Sequence, residues 1–215
     1  MFATASGAGF HPFNGVAAGG GMQAEFGNSD INGTELRIEV DGIYSENFLF
    51  DNETYARIFW EGSGVSGDIG KPEIPVYRFF LKIPSGAEVT AEVSNLNRIE
   101  YTLRDLNIEG RILPVQPPVE KVPGSKADFQ IDRAAYTADN YSDAPMVEVE
   151  NYAVIRGRRI AVVAVRPLDY NPAQNTILVR NRMDIRFNFI GGNLRQTREN
   201  ARRYGNVYLD RMMDG

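Results

Sequence analysis

Cysteine is absent from the 215 residues. The chain therefore has no disulfide framework, no thiolate metal site and no sulfur nucleophile, and any cysteine-based chemistry must lie outside these residues. Histidine occurs once, at His11, inside a stretch rich in glycine and alanine. No Ser/His/Asp or Cys/His arrangement with a fixed base is expected, so the chain reads as non-catalytic, with no cofactor and no metal. Long apolar runs are missing as well, and nothing approaches the roughly 20 residues of a bilayer-spanning helix. A basic excess is also lacking, since 23 Lys and Arg stand against 28 Asp and Glu for a net charge of -5. Neither a nucleic acid nor a membrane is the expected partner. The opening MFATASGAGFHPFNGVAAGGG has no basic n-region and no sustained apolar core. Any export signal is expected to lie outside these residues.

What is present is period-two alternation. A composition 43% hydrophobic suffices for one packed domain. Leu36, Ile38 and Val40 alternate with Arg37, Glu39 and Asp41, the pattern of a half-buried strand. The pattern recurs at 55–60, at Tyr77, Phe79, Leu81 and Ile83, and at Ala87, Val89, Ala91 and Val93. It returns at Ile99, Tyr101 and Leu103 and over 183–190, while strands also continue over 146–156, over the nearly continuous apolar run 160–165 and over the short run 177–179. Pro84-Ser85-Gly86 and Asn95-Leu96-Asn97 carry turn chemistry between runs. Many short strands with no helix between them predict an all-β fold, an antiparallel β-sandwich of jelly-roll-like form.

Three stretches break that rhythm. Residues 1–33, with Phe10, Phe13 and Phe26 scattered among Gly, Ala, Asn and Ser, read as a flexible lead-in. Residues 34–192 hold the sandwich. Within them, 114–145 contains five of the eleven prolines and no alternation, and a connection that long is usually functional or disordered. Residues 193–215 carry Arg195, Arg198, Arg202, Arg203 and Arg211, which suits either a short amphipathic helix or a linker toward a following domain.

Other constellations are weaker. Glu148 with Glu150, and Asp139 with Asp143, are carboxylate pairs of a kind that serves glycoside chemistry or calcium binding, but a strand's wet face explains the first pair. Trp60, Tyr44, Tyr136 and Tyr141 are the candidate platform of a carbohydrate-binding sandwich, although Trp60 ends an apolar alternation and reads as core. Sequons at Asn32, Asn52 and Asn140 matter only in a glycosylating host.

Three stretches taken together resemble the propeptide that precedes the catalytic domain of gingipain-type cysteine peptidases. They are Gly70 to Pro75 running into Arg78 to Val89, Leu113-Pro-Val-Gln-Pro-Pro118, and Arg156 to Ile160 with Val165 to Pro172. The resemblance covers about Leu36 to Gly192. It implies a jelly-roll-like sandwich that sits on the catalytic domain of a secreted or cell-surface bacterial protease, assists its folding and occludes its cleft until proteolysis removes it. It also implies a prodomain loop that presents a basic side chain to the specificity pocket. Extended, exposed backbone suits that role, and Pro117, Pro118 and Pro123 favour such backbone between Gln116 and Asp128. The expected inhibitory residue is Lys126, followed by Lys121 and then Arg133. Arg203 and Arg211 are the processing candidates. A non-inhibitory structural module of a surface or export protein remains the alternative.

Overall fold

The structure, a computed structural model, describes residues 8–13, 20–118 and 128–204. Among them run thirteen strands, a 3-10 turn at Ala135–Thr137 and one helix. The strands are β1 (Gly9–Pro12), β2 (Met22–Ser29), β3 (Gly33–Val40), β4 (Gly42–Phe50), β5 (Glu53–Phe59), β6 (Gly64–Ser66) and β7 (Ile74–Ile83). They continue with β8 (Glu88–Thr102), β9 (Arg111–Ile112), β10 (Val147–Ile155), β11 (Arg158–Val165), β12 (Leu168–Asn171) and β13 (Thr176–Ile190), followed by α1 (Leu194–Tyr204).

Three sheets result. One has the order β1-β4-β5-β9, a second β10-β11-β7-β6, and in the third β13 joins β12, β3 and β2 while pairing β8 along its other edge. All pairings are antiparallel except β5 with β9. The fold is an all-β, antiparallel sandwich, as the alternation required. Leu36 and Ile38 of β3 and Met183, Ile185 and Phe187 of β13 are at most 2% exposed and form one cluster with Ile58, Trp60, Leu81 and Val163. Phe79 of β7 joins two of the sheets, with its ring 5.5 Å from Phe26 and 6.0 Å from Phe187. On the opposite face of the β13 sheet, Arg37 pairs with Asp184 at 2.9 Å and Arg186 with Glu35 at 3.0 Å. Hydrogen bonds from Asn95 and Arg37 hold the Asp184 carboxyl below its usual range.

Several sequence expectations change. Asn95-Leu96-Asn97 is not a turn between strands; it is a bulge inside the 15-residue β8. Asn95 takes φ 48° there, a conformation asparagine tolerates better than most residues. A second irregularity on β13 near Arg180 and Asn181 restores the original register, so the inward set survives. The runs read as 177–179 and 183–190 are likewise one strand, β13. The lead-in reading fails for Gly9–Pro12 and Met22–Ser29, which are β1 and β2 paired to β4 and β3.

His11 is therefore held in place. Its Nε2 lies 2.7 Å from Ser45 Oγ, and burial keeps the imidazole below its ordinary value while a bond to the Leu106 backbone opposes that shift. These contacts tie β1 to β4 and to the turn at Leu106, and among the described residues no carboxylate bonds the ring. The tail takes the helical alternative over Leu194–Tyr204. Asn193 caps it, its Oδ1 accepting from Gln196 N at 3.0 Å.

Candidate functional site

The long connection leaves the sandwich through a narrow neck. The outgoing leg starts at β9, which pairs with Tyr55 and Ala56 of β5, and Leu113 N donates to Ala56 O at 2.8 Å. On its other side the leg runs along 70–73. Glu73 N donates to Leu113 O, Val115 N to Lys71 O and Gly70 N to Val115 O, each at 2.8 Å. Gly70 also takes in the return leg, its carbonyl accepting from Asp132 N at 2.9 Å. A Cβ at Gly70 would lie 2.9 Å from that nitrogen, and φ is +86°. Only glycine suits a residue that must bend this way and touch both legs.

The two legs are joined directly by one side chain. Gln116 Nε2 donates to Pro114 O and to Gln130 O, both at 2.9 Å, and Gln116 Oε1 accepts from Gln130 N at 3.0 Å. Beside it the Phe129 ring stacks 3.9 Å from Phe50 at the tip of β4 and lies 5.3 Å from Tyr55. Past the neck, Asp132 Oδ1 accepts from Ala134 N and Ala135 N at 3.0 and 3.1 Å, starting the 3-10 turn. Tyr136 enters the core from that turn, its hydroxyl donating to Ile112 O at 2.6 Å. Burial, aided by a bond to Glu53, pushes the Tyr55 hydroxyl up to about 12. The connection is thus fixed at its base, with Gln116, Gly70, Phe129, Asp132 and Tyr136 as the fixing residues. Sequence reading missed them as a group because they meet only in the tertiary structure.

Lys121 and Lys126 lie outside the described residues. Arg133 is exposed on the return leg, directly after Asp132. Two stretches of the resemblance, around Gly70 and around Leu113, prove to be neighbours at this neck. The third supports α1. Arg158 Nη1 donates to Tyr204 O at 3.2 Å, and a Cβ on Gly157 would come 2.4 Å from the Tyr204 ring.

Of the processing candidates, Arg211 lies outside the described residues, and Arg203 is exposed in the last turn of α1 with its guanidinium 5.5 Å from the Tyr204 ring centre. A protease cleft takes extended backbone, so a cut after Arg203 requires that turn to open. Replacing Arg158 by leucine is expected to speed cleavage there by a trypsin-like enzyme about fivefold, since it removes one tie of order 1 kcal/mol. Mass spectrometry of the early fragments checks this, and an unchanged rate counts against it.

The carbohydrate platform loses two of its four residues to the core, as Trp60 is 1% and Tyr136 2% exposed. Tyr141 is engaged with Glu100 and Thr176. Glu148 and Glu150 are tied into ion pairs with Arg166 and Arg78. Asp139 accepts from Asn171 and Gln174.

The class the fold defines is an all-β sandwich that fastens both legs of a long proline-rich connection. Residues 37–204 match the family model Propeptide_C25, and the chain belongs to that family. Relatives include Lys-gingipain HG66 and Lys-gingipain W83 of Porphyromonas gingivalis, each 30% identical over 139 residues. The aligned part is 64% of this chain and only 8% of either relative. Among solved structures, one concerning the zymogenic latency of gingipain K from Porphyromonas gingivalis superposes with a TM-score of 0.75. It is 22% identical and covers 86% of this chain and 100% of that one. The complex of Porphyromonas gingivalis RgpB pro- and mature domains gives a TM-score of 0.65 at 14% identity, over 80% of this chain and 85% of that one. These two likenesses concern the fold.

Proposed function

We propose that this domain is the non-catalytic propeptide of an exported cysteine peptidase, binding the catalytic domain as folding assistant and inhibitor. The family match over residues 37–204 carries the reading. Solved neighbours concerned with zymogenic latency and with a pro-domain bound to its mature domain support it. The contact assigned to the active-site cleft is the connection between Gln116 and Asp128, with Lys126 foremost, Lys121 second and Arg133 third. Arg133 ranks last because it sits behind the neck, on the body of the domain. In a pocket that prefers Lys or Arg, an acidic side chain shielded from water would pair with the inserted ammonium or guanidinium.

The test is to add the domain to the catalytic domain that accompanies it and to measure peptidase activity. Stoichiometric inhibition is expected, and Lys126→Ala is expected to weaken it about 10- to 100-fold, as for a buried charged anchor. A wild-type domain that neither binds nor inhibits overturns the propeptide reading and favours a purely structural module. A Lys126→Ala variant that inhibits as well as wild type overturns only the loop assignment.

A further inference from the structure

We infer that Gln116 is the positioning residue of the propeptide's contact with its enzyme, acting as a side-chain rung that sets where the two legs leave the domain and in which direction. The inference rests on the propeptide reading above and adds to it a residue that the reading does not require.

The geometry is specific to a primary amide. Gln116 lies where the outgoing leg ends its pairing with 70–73, and the backbone there has already passed Pro114 and is about to meet Pro117. Proline has no N–H, so backbone pairing across the neck cannot simply continue past this point. The Gln116 side chain takes over. Its one NH2 group meets two carbonyls, Pro114 O on its own leg and Gln130 O on the other, and its oxygen meets Gln130 N. Both backbone polar groups of Gln130 are thereby satisfied by one side chain, much as a neighbouring strand would satisfy them. Leucine has the size but none of the bonds. Glutamate keeps the acceptor for Gln130 N and, when ionised, sets a negative charge against two carbonyl oxygens. Asparagine is a methylene short.

The rung has backing on both sides. Phe129, adjacent to Gln130, stacks on Phe50 and Tyr55, and Asp132 is bonded to Gly70. The legs are consequently held at one separation before any partner arrives. A loop whose ends are fixed loses less entropy on binding than one whose ends swing, and the difference appears as affinity. Gln116 itself sits at the base, so its influence on the enzyme is through the legs.

The experiment compares wild type, Gln116→Leu and Gln116→Glu by three measurements on the full domain: the thermal midpoint, amide exchange at Gln130, and inhibition of the catalytic domain. Wild type is expected to protect the Gln130 amide. Gln116→Leu is expected to lose about tenfold in that protection and Gln116→Glu, which keeps the acceptor, less; both are expected to lose about tenfold in inhibition, through a less ordered free state, while the midpoint moves by no more than about 3 °C. An unprotected Gln130 amide in wild type overturns the inference. So does a variant that loses protection yet inhibits as strongly as wild type, or one whose loss of inhibition tracks global unfolding. If wild type itself fails to inhibit, the propeptide reading falls instead, and the exchange data still report on the rung.

Discussion

Replacing Asp169 by asparagine is expected to destabilise the domain by about 3–5 kcal/mol, the usual consequence of leaving one charge of a buried pair alone. Asp169 Oδ2 accepts from Arg180 Nη2 at 2.8 Å, and the two side chains are 9% and 8% exposed. Burial pushes the Asp169 carboxyl up, and the hydrogen bond and charge of Arg180 oppose that shift. The guanidinium is committed elsewhere too: Nη1 donates to Arg166 O at 3.2 Å, and the residue's backbone N donates to Pro167 O at 2.8 Å. It thus closes the corner where the chain passes from β11 into β12. Asparagine cannot neutralise Arg180, and a desolvated cation remains. Urea unfolding reads the loss. The double replacement Asp169→Leu with Arg180→Met is expected to recover much of it, because two apolar side chains of similar volume carry no desolvation penalty. A single variant within about 1 kcal/mol of wild type would show that water reaches the pair.

Phe187→Ala is expected to produce a loss of similar size, about 3–5 kcal/mol, by a different mechanism. Phe187 is fully buried on β13, and its ring meets Phe79 of β7 edge-on at 6.0 Å. The same position is pinned on both sides by backbone pairing, to Thr34 of β3 and Ala91 of β8. Strands held this tightly cannot collapse into the space left behind, so the cavity persists and adds to the lost transfer free energy. Calorimetry should show a midpoint lower by about 6–20 °C for a domain of this size. Phe80→Ala is the control. Phe80 is 57% exposed on the same strand as Phe79, and its removal is expected to change stability by no more than about 0.5 kcal/mol. Equal losses at both positions would show that hydrophobicity alone, and not closure of the sheets on one another, governs the effect.

The two variants also indicate which part of the fold alternation can reveal. Leu36, Ile38 and Val40, and again Tyr77, Phe79, Leu81 and Ile83, face inward as their period required. Strand β4 escaped because its inward set includes Ser45 and Asn47 while Tyr44, Phe48 and Phe50 point the other way. Its inward polarity follows from a partner 34 residues away, His11, whose ring bonds Ser45. No local pattern carries that information. Strand β2 does alternate, with Met22 and Ala24 half-buried and Gln23 and Glu25 exposed, but the glycines around it dominate the composition of the segment.

Absence of cysteine, the all-β class and the sandwich follow from residue types and their two-residue period, since these depend only on near neighbours along the chain. The helix at 194–204 was one of two readings that composition left open, and its cap at Asn193 and the bond between Arg158 and Tyr204 decide in its favour. The neck belongs wholly to tertiary structure. Gly70, Gln116, Gln130 and Phe129 are individually unremarkable in sequence, and they act together because the 70–73 segment runs between two legs of chain, one about 40 and the other about 60 residues further on. Hydrogen bonds between groups so distant are set by how the sheets pack and not by any local preference.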